Sequence, residues 1–162
     1  MTAILYRMAQ GIPGDVSRQS IATIEAQPLN AAAPFLSYGI PGKIAAGLFV
    51  PLSAVGDTAP YGFLVRPYPI TGANASDPLG TAVPLTSGLA NILRRGYMTV
   101  QSNAGTPTAQ GTVYVRYANA AAGTPIGGLE ATSVGGSNVA LLGVAFMGPA
   151  DASGNVEIAF NI

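Results

Sequence analysis

The chain contains no cysteine, no histidine and no tryptophan. Without cysteine there is no disulfide framework, no thiolate metal site and no thiol nucleophile. Without histidine the usual neutral-pH general base and the commonest metal ligand are missing. Charge is scarce too. Seven Lys or Arg face seven Asp or Glu, 9% of 162 residues, where about 25% is ordinary for a soluble domain. A net charge near zero promotes association between molecules. So even a balance leaves no basic surface to neutralise a phosphate backbone, which argues against nucleic acid as a partner.

Long hydrophobic runs are also lacking, although the mean hydropathy is +0.39. A spanning helix needs about 20 largely apolar residues. The best stretch, Val139 to Met147, runs at once into Gly148 and Pro149. The start, "MTAILYRMAQGIPGD", has only a short apolar run before Tyr6 and Arg7, too little for a signal peptide. A small outer-membrane barrel would need such a signal and aromatic girdles. The expectation is no membrane partner and a product that stays where it is made.

What the chain has is punctuation. Its 21 glycines and 13 prolines are spread between apolar runs, as in an all-β domain of many short strands and turns. The length suits one domain with a real core. Alternation and β-branched content predict strands at Thr112 to Tyr117 and Val156 to Ile162, and a buried strand at Val139 to Met147. The turn formers of "GPADASGN" connect the last two. Further strands are predicted at Ile44 to Val50 and Tyr61 to Arg66, separated by "SAVGDTAP". In "PLTSGLANILRRGYMTV" a short helix capped by Ser87 competes with a strand from about Ile92 to Val100; Gly88 and Gly96 favour the strand. Residues 1–35 are polar, proline-interrupted and weakly periodic, and read as an extended arm or loop-rich segment before a β domain at 36–162.

Catalytic constellations are missing. Lys43 in "GIPGKIAAG" has no serine motif beside it for a Ser–Lys dyad. The acids Asp15, Glu25, Asp57, Asp77, Glu130, Asp151 and Glu157 are scattered. Turn chemistry accounts for Asp57, Asp77 and Asp151, while Glu130 and Glu157 read as exposed. The glycine runs "GTPIGG" and "SVGGSN" are followed by no Gly-Lys-Ser/Thr, so they are turns and not phosphate loops. No cofactor and no metal are expected.

Arginines and tyrosines are the candidates for recognition. Arg66 ends an aromatic-rich strand in "FLVRPYP", and Arg94 and Arg95 are adjacent in "ILRRGY". Strand neighbours point to opposite faces, so one of that pair faces inward or towards a partner. Arginine suits buried and interfacial ion pairs. Tyr61 and Tyr68, with Tyr97, Tyr114 and Tyr117, offer either a sugar-stacking platform or core packing with the hydroxyl at the surface. The alternative to a structural protein is therefore a β-sandwich carbohydrate-binding or adhesion module.

"ILRRGYMTV", then "GTVYVRYANAAAGTPIGG", then the turn-rich run to "GNVEIAFNI", resemble the structural cement proteins of tailed bacteriophages, small all-β capsid decoration proteins. "GIPGDVSR" and "YGFLVRPYP" suit such a chain as well. The resemblance covers most of the chain and is strongest from about residue 90. It implies a compact β-barrel or jelly-roll-like sandwich with an extended N-terminal segment. It also implies a non-enzymatic virion protein, made in the bacterial host cytoplasm, that clamps neighbouring major capsid protein subunits on the capsid exterior. Self-association as a homodimer, with a homotrimer as the alternative, follows from the same resemblance. There are no catalytic residues to carry over. Arg66, Arg94, Arg95, Tyr61 and Tyr68 are the candidate partner-binding residues. The alternating end "VEIAFNI" needs a strand neighbour, from its own domain or from another subunit.

Overall fold

The computed structural model describes residues 11–67 and 82–162. Among them there is no α-helix; nine strands form one sheet. In chain order they are β1 (Thr23–Leu29), β2 (Pro41–Ala45), β3 (Leu48–Pro51), β4 (Gly62–Leu64), β5 (Gly88–Ala104), β6 (Thr112–Arg116), β7 (Leu129–Glu130), β8 (Asn138–Phe146) and β9 (Asn155–Phe160). The sheet order is β1-β3-β2-β4-β5-β7-β6-β8-β9, with extra pairings β1–β5 and β5–β9. Those two pairings close the sheet twice. One ring runs β5-β1-β3-β2-β4 and the other β5-β7-β6-β8-β9, and the 17-residue β5 belongs to both. The all-β, barrel-like expectation is thus observed, in the form of two small closed rings on one shared strand.

A strand that serves two rings must present an apolar side chain to each, and the sequence does so. Ile92 and Leu64 enter the core of the first ring, while their neighbours Leu93 and Phe63 enter that of the second. The paired segments of β4 and β5 are therefore buried on both faces, which is why "GFLV" and "NIL" read as continuous apolar runs rather than alternating ones. Phe63 reaches across to Phe160 edge-to-face, with ring centroids 5.1 Å apart. In the first ring Phe35 stacks on Phe49 at 4.9 Å.

The passage of β5 between the rings needs an irregularity. Pairing with β1 steps from Ile24↔Leu93 to Thr23↔Arg95, which leaves Arg94 as an extra residue on β5. This bulge reverses the parity, so that Leu93 and Met98 both face the second core. Gly96 follows at φ 134°, and a Cβ there would lie 3.1 Å from the Ala22 Cα, a position that only glycine fills without strain.

Other boundaries differ from the sequence reading for local reasons. Ile44 to Val50 is not one strand. Ala46 and Gly47, at φ 50° and 80°, make a two-residue turn that folds it into the β2–β3 hairpin. Such a turn is usually marked by Asn-Gly or Asp-Gly, and Ala-Gly is a weak signal for it. Tyr61 to Arg66 shortens to β4, although Val65 still donates its backbone N–H to Asn91. The Ile92 to Val100 strand extends in both directions, and the capped helix at Ser87 does not form. Within residues 1–35, Thr23–Leu29 is β1, paired along its length with β5, and Val16 bridges Met98 further along the same strand. The terminal β9 lies between β5 and β8. The neighbours that "VEIAFNI" needs are thus supplied by its own domain.

Candidate functional site

Most charged side chains among the described residues find a partner inside the chain. Lys43 on β2 donates to Asp57 at 2.6 Å. The Asp57 carboxylate also caps the Ser53 and Ala54 N–H groups, both at 2.9 Å, so its turn role is as read. Burial works against that carboxylate. The lysine and the two amides outweigh it and hold its pKa below the ordinary value. Asp151 caps its own turn through the Ser153 and Asn155 N–H groups. Arg18 pairs with Glu157 at 2.8 Å, and that hydrogen bond raises its pKa further.

Glu130 corrects the sequence reading most sharply. It is fully buried rather than exposed, and it accepts from the equally enclosed Arg116 and from Asn138. Asn138 also donates to the Thr132 carbonyl and accepts from the Val134 N–H, both at 2.8 Å. Arg116 reaches the Asn119 carbonyl at 3.1 Å. The network holds the long excursion between β6 and β8 against the second ring. A Glu in "GGLEATS" carries no mark of this, because its partners are 14 and 8 residues away in sequence.

The candidate arginines and tyrosines meet each other. Arg66 is buried, donates to the Pro13 carbonyl at 2.9 Å and lies 4.5 Å over the Tyr38 ring. Burial lowers its pKa and raises that of Tyr38. Arg94 stacks 3.5 Å over Tyr61, donates to the Tyr61 carbonyl and lies 3.5 Å from the Glu25 carboxylate. Tyr61 in turn donates to Glu25 at 2.8 Å, a bond that raises its pKa. Arg18 covers Tyr97 at 3.9 Å. These stacks use the aromatic faces that a sugar platform would need. Arg95 differs: it is exposed, and its side chain makes no ion pair among the described residues. Tyr68 and Asp77 lie outside the described residues.

No cluster of metal-ligating side chains occurs among the described residues. A groove of about 420 Å³ beside β3 is mostly apolar, lined by Pro34, Leu36, Ile40, Val50 and Ile126 with Ser53 as its polar side chain. The surface is instead uncharged and apolar in places, with Leu36, Val55, Val83, Leu89 and Leu142 each more than 60% exposed. No described helix is long and apolar enough to cross a membrane.

The profile of the XM1 gp53 minor capsid protein family matches residues 1–160. The chain belongs to this family. It is accordingly a structural protein associated with a phage capsid, and its place is the virion. Among solved structures it is similar to a chain from the capsid of Myoviridae phage XM1. The TM-score is 0.70 at 21% identity, and the match covers 98% of this chain and 95% of that one. That likeness is one of fold. No curated protein sequence matches the chain.

Proposed function

We propose that this capsid protein is a decoration, or cement, protein. It binds the exterior of the phage head after synthesis in the host cytoplasm and stabilises contacts between major capsid protein subunits. It acts as a small homo-oligomer, a homodimer in the first instance and a homotrimer as the alternative, without catalysis or cofactor. The observation that carries this reading is the surface. Among the described residues most charged side chains are paired inside the chain, while large apolar side chains stand out in solvent. Exposed apolar area of this kind marks surfaces that are covered in an assembly. The candidate binding residues take separate parts. Arg95 is presented outward, the Tyr61–Arg94 pair forms a rigid platform beside it, and Arg66 fixes the backbone behind. Tyr68 completes the candidate set on the sequence pattern alone. The carbohydrate-binding alternative is less well supported, because the Tyr61 and Tyr97 rings of its platform are stacked by arginines.

The test is to mix the purified chain with expanded capsids that lack it. The expected result is a defined oligomer by light scattering, co-sedimentation in a fixed copy ratio, and heads that withstand higher temperature. A monomer that stays in the supernatant would refute the proposal.

A further inference from the structure

Among the described residues the outer edge of β1 has no strand partner before Leu29. In the β1–β5 ladder Ala26 lies opposite Asn91. The Asn91 carbonyl is turned the other way, towards β4, where it accepts from the Val65 N–H. In an antiparallel pair two opposed residues point at each other or both point away, so the Ala26 N–H and C=O face out of the sheet. The two-residue period assigns the same direction to Ile24 and Pro28. Pro28 fits this placement, since its missing N–H falls on the side with no ladder to complete. On its outward side β1 meets β3 only at Leu29↔Phe49. Residues 23–26 are exposed, and Ile21 and Ile24 add apolar surface at 47% and 39% exposure.

Charge identifies the occupant. Arg95, opposite Thr23 at the start of this edge, is an exposed cation with no acid beside it. A second copy has no spare carboxylate to offer among its described residues. Glu25, Asp57, Glu130 and Glu157 are ion-paired, Asp151 caps a turn, and Asp15 is half-buried. We infer that the free edge of β1 and Arg95 together dock an extended, carboxylate-bearing segment of a different capsid protein. The segment adds a strand to β1 through the outward Ile24 and Ala26 groups, and its acid pairs with Arg95. Backbone bonds supply affinity, and the ion pair fixes register and direction.

This inference rests on the decoration reading, and one experiment separates the two. Ala26→Pro removes an outward N–H without touching the β1–β5 ladder, and Arg95→Glu reverses the charge. Ala26→Val keeps the N–H and serves as the matched control. Each full-length variant is checked by its unfolding midpoint and by light scattering, then sedimented with capsids that lack the protein. Expected are unchanged folding and oligomer mass, about a tenfold or greater loss of capsid binding for Ala26→Pro and for Arg95→Glu, and wild-type binding for Ala26→Val. Folded Ala26→Pro and Arg95→Glu proteins that bind like wild type would overturn the docking site alone. Loss of self-association in those variants would overturn the assigned occupant in favour of a second copy. A wild-type chain that does not bind would remove the decoration reading and this site with it.

Discussion

Around its C-terminal half β5 closes a ring filled by fifteen buried apolar residues, with a buried Arg116–Glu130 pair in its wall. Around its N-terminal half it closes a ring with eight such residues among those described, an aromatic stack, and a wall strand, β1, whose first four residues are exposed. In the second ring every strand has a neighbour on both sides, with β7 bridging β5 and β6 through two residue pairs each. In the first ring β1 closes the circle at a single residue pair and keeps a free edge. One ring supplies rigidity, and the other keeps bonding capacity for a partner.

The comparison can be broken first at the buried pair. Glu130→Ala strands a guanidinium in the second ring and should cost about 3–5 kcal/mol, whereas the double replacement Arg116→Met with Glu130→Leu should be near neutral. Urea unfolding of the three proteins measures this. Equal losses in the single and double variants would show that the pair itself, and not the stranded charge, holds the ring.

The junction comes next. Gly96→Val forces a β-branched residue to positive φ against Ala22 and should cost about 1–3 kcal/mol. Hydrogen exchange should quicken in β1 and β9 together, because the bulge seats both rings. Exchange confined to one of them would show the rings to be less coupled than their shared strand implies.

A smaller effect tests the β2–β3 end of the first ring. Asp57 has a depressed pKa, so the unfolded chain takes up its proton first. Its contribution is complete above about pH 4 and is lost as pH falls through the depressed value. Asp57→Asn should therefore cost about 1 kcal/mol near pH 6, and the gap to wild type should close towards pH 2. A gap independent of pH would assign the loss to turn geometry rather than charge. The smallest change is expected at Arg18→Ala, whose exposed pair with Glu157 should contribute about 0.2–1 kcal/mol and weaken further in high salt.

Much of the fold was legible from local pattern. "TVYVR" and "NVEIAF" alternate because one face of each meets a core, and both are strands where the period placed them. The β2–β3 turn was hidden because Ala46 adopts a conformation that alanine rarely shows. β1 was hidden because "TIEAQP" has the two-residue period but little apolar weight, its faces being a half-exposed polar cluster and solvent. The candidate site was legible in part. Arg94 and Arg95 were marked as a pair with different fates, and Arg94 turns to Tyr61 while Arg95 stays in solvent. The bulge that seats them is a property of the pairing with β1, so no reading of β5 alone contains it.

By itself the sequence determined the chemistry available: no thiol, no imidazole, little charge, many turns, and hence an all-β fold. Those are properties of residue types and short-range periodicity, which do not depend on what lies across the sheet. The tertiary structure alone decided that one strand would be shared by two rings and that Glu130 would be buried. It also decided that "VEIAFNI" would find both neighbours at home, while β1, and not the chain end, would keep the open edge. Each of these depends on pairing between residues far apart in sequence, where register and burial are set by the partner strand.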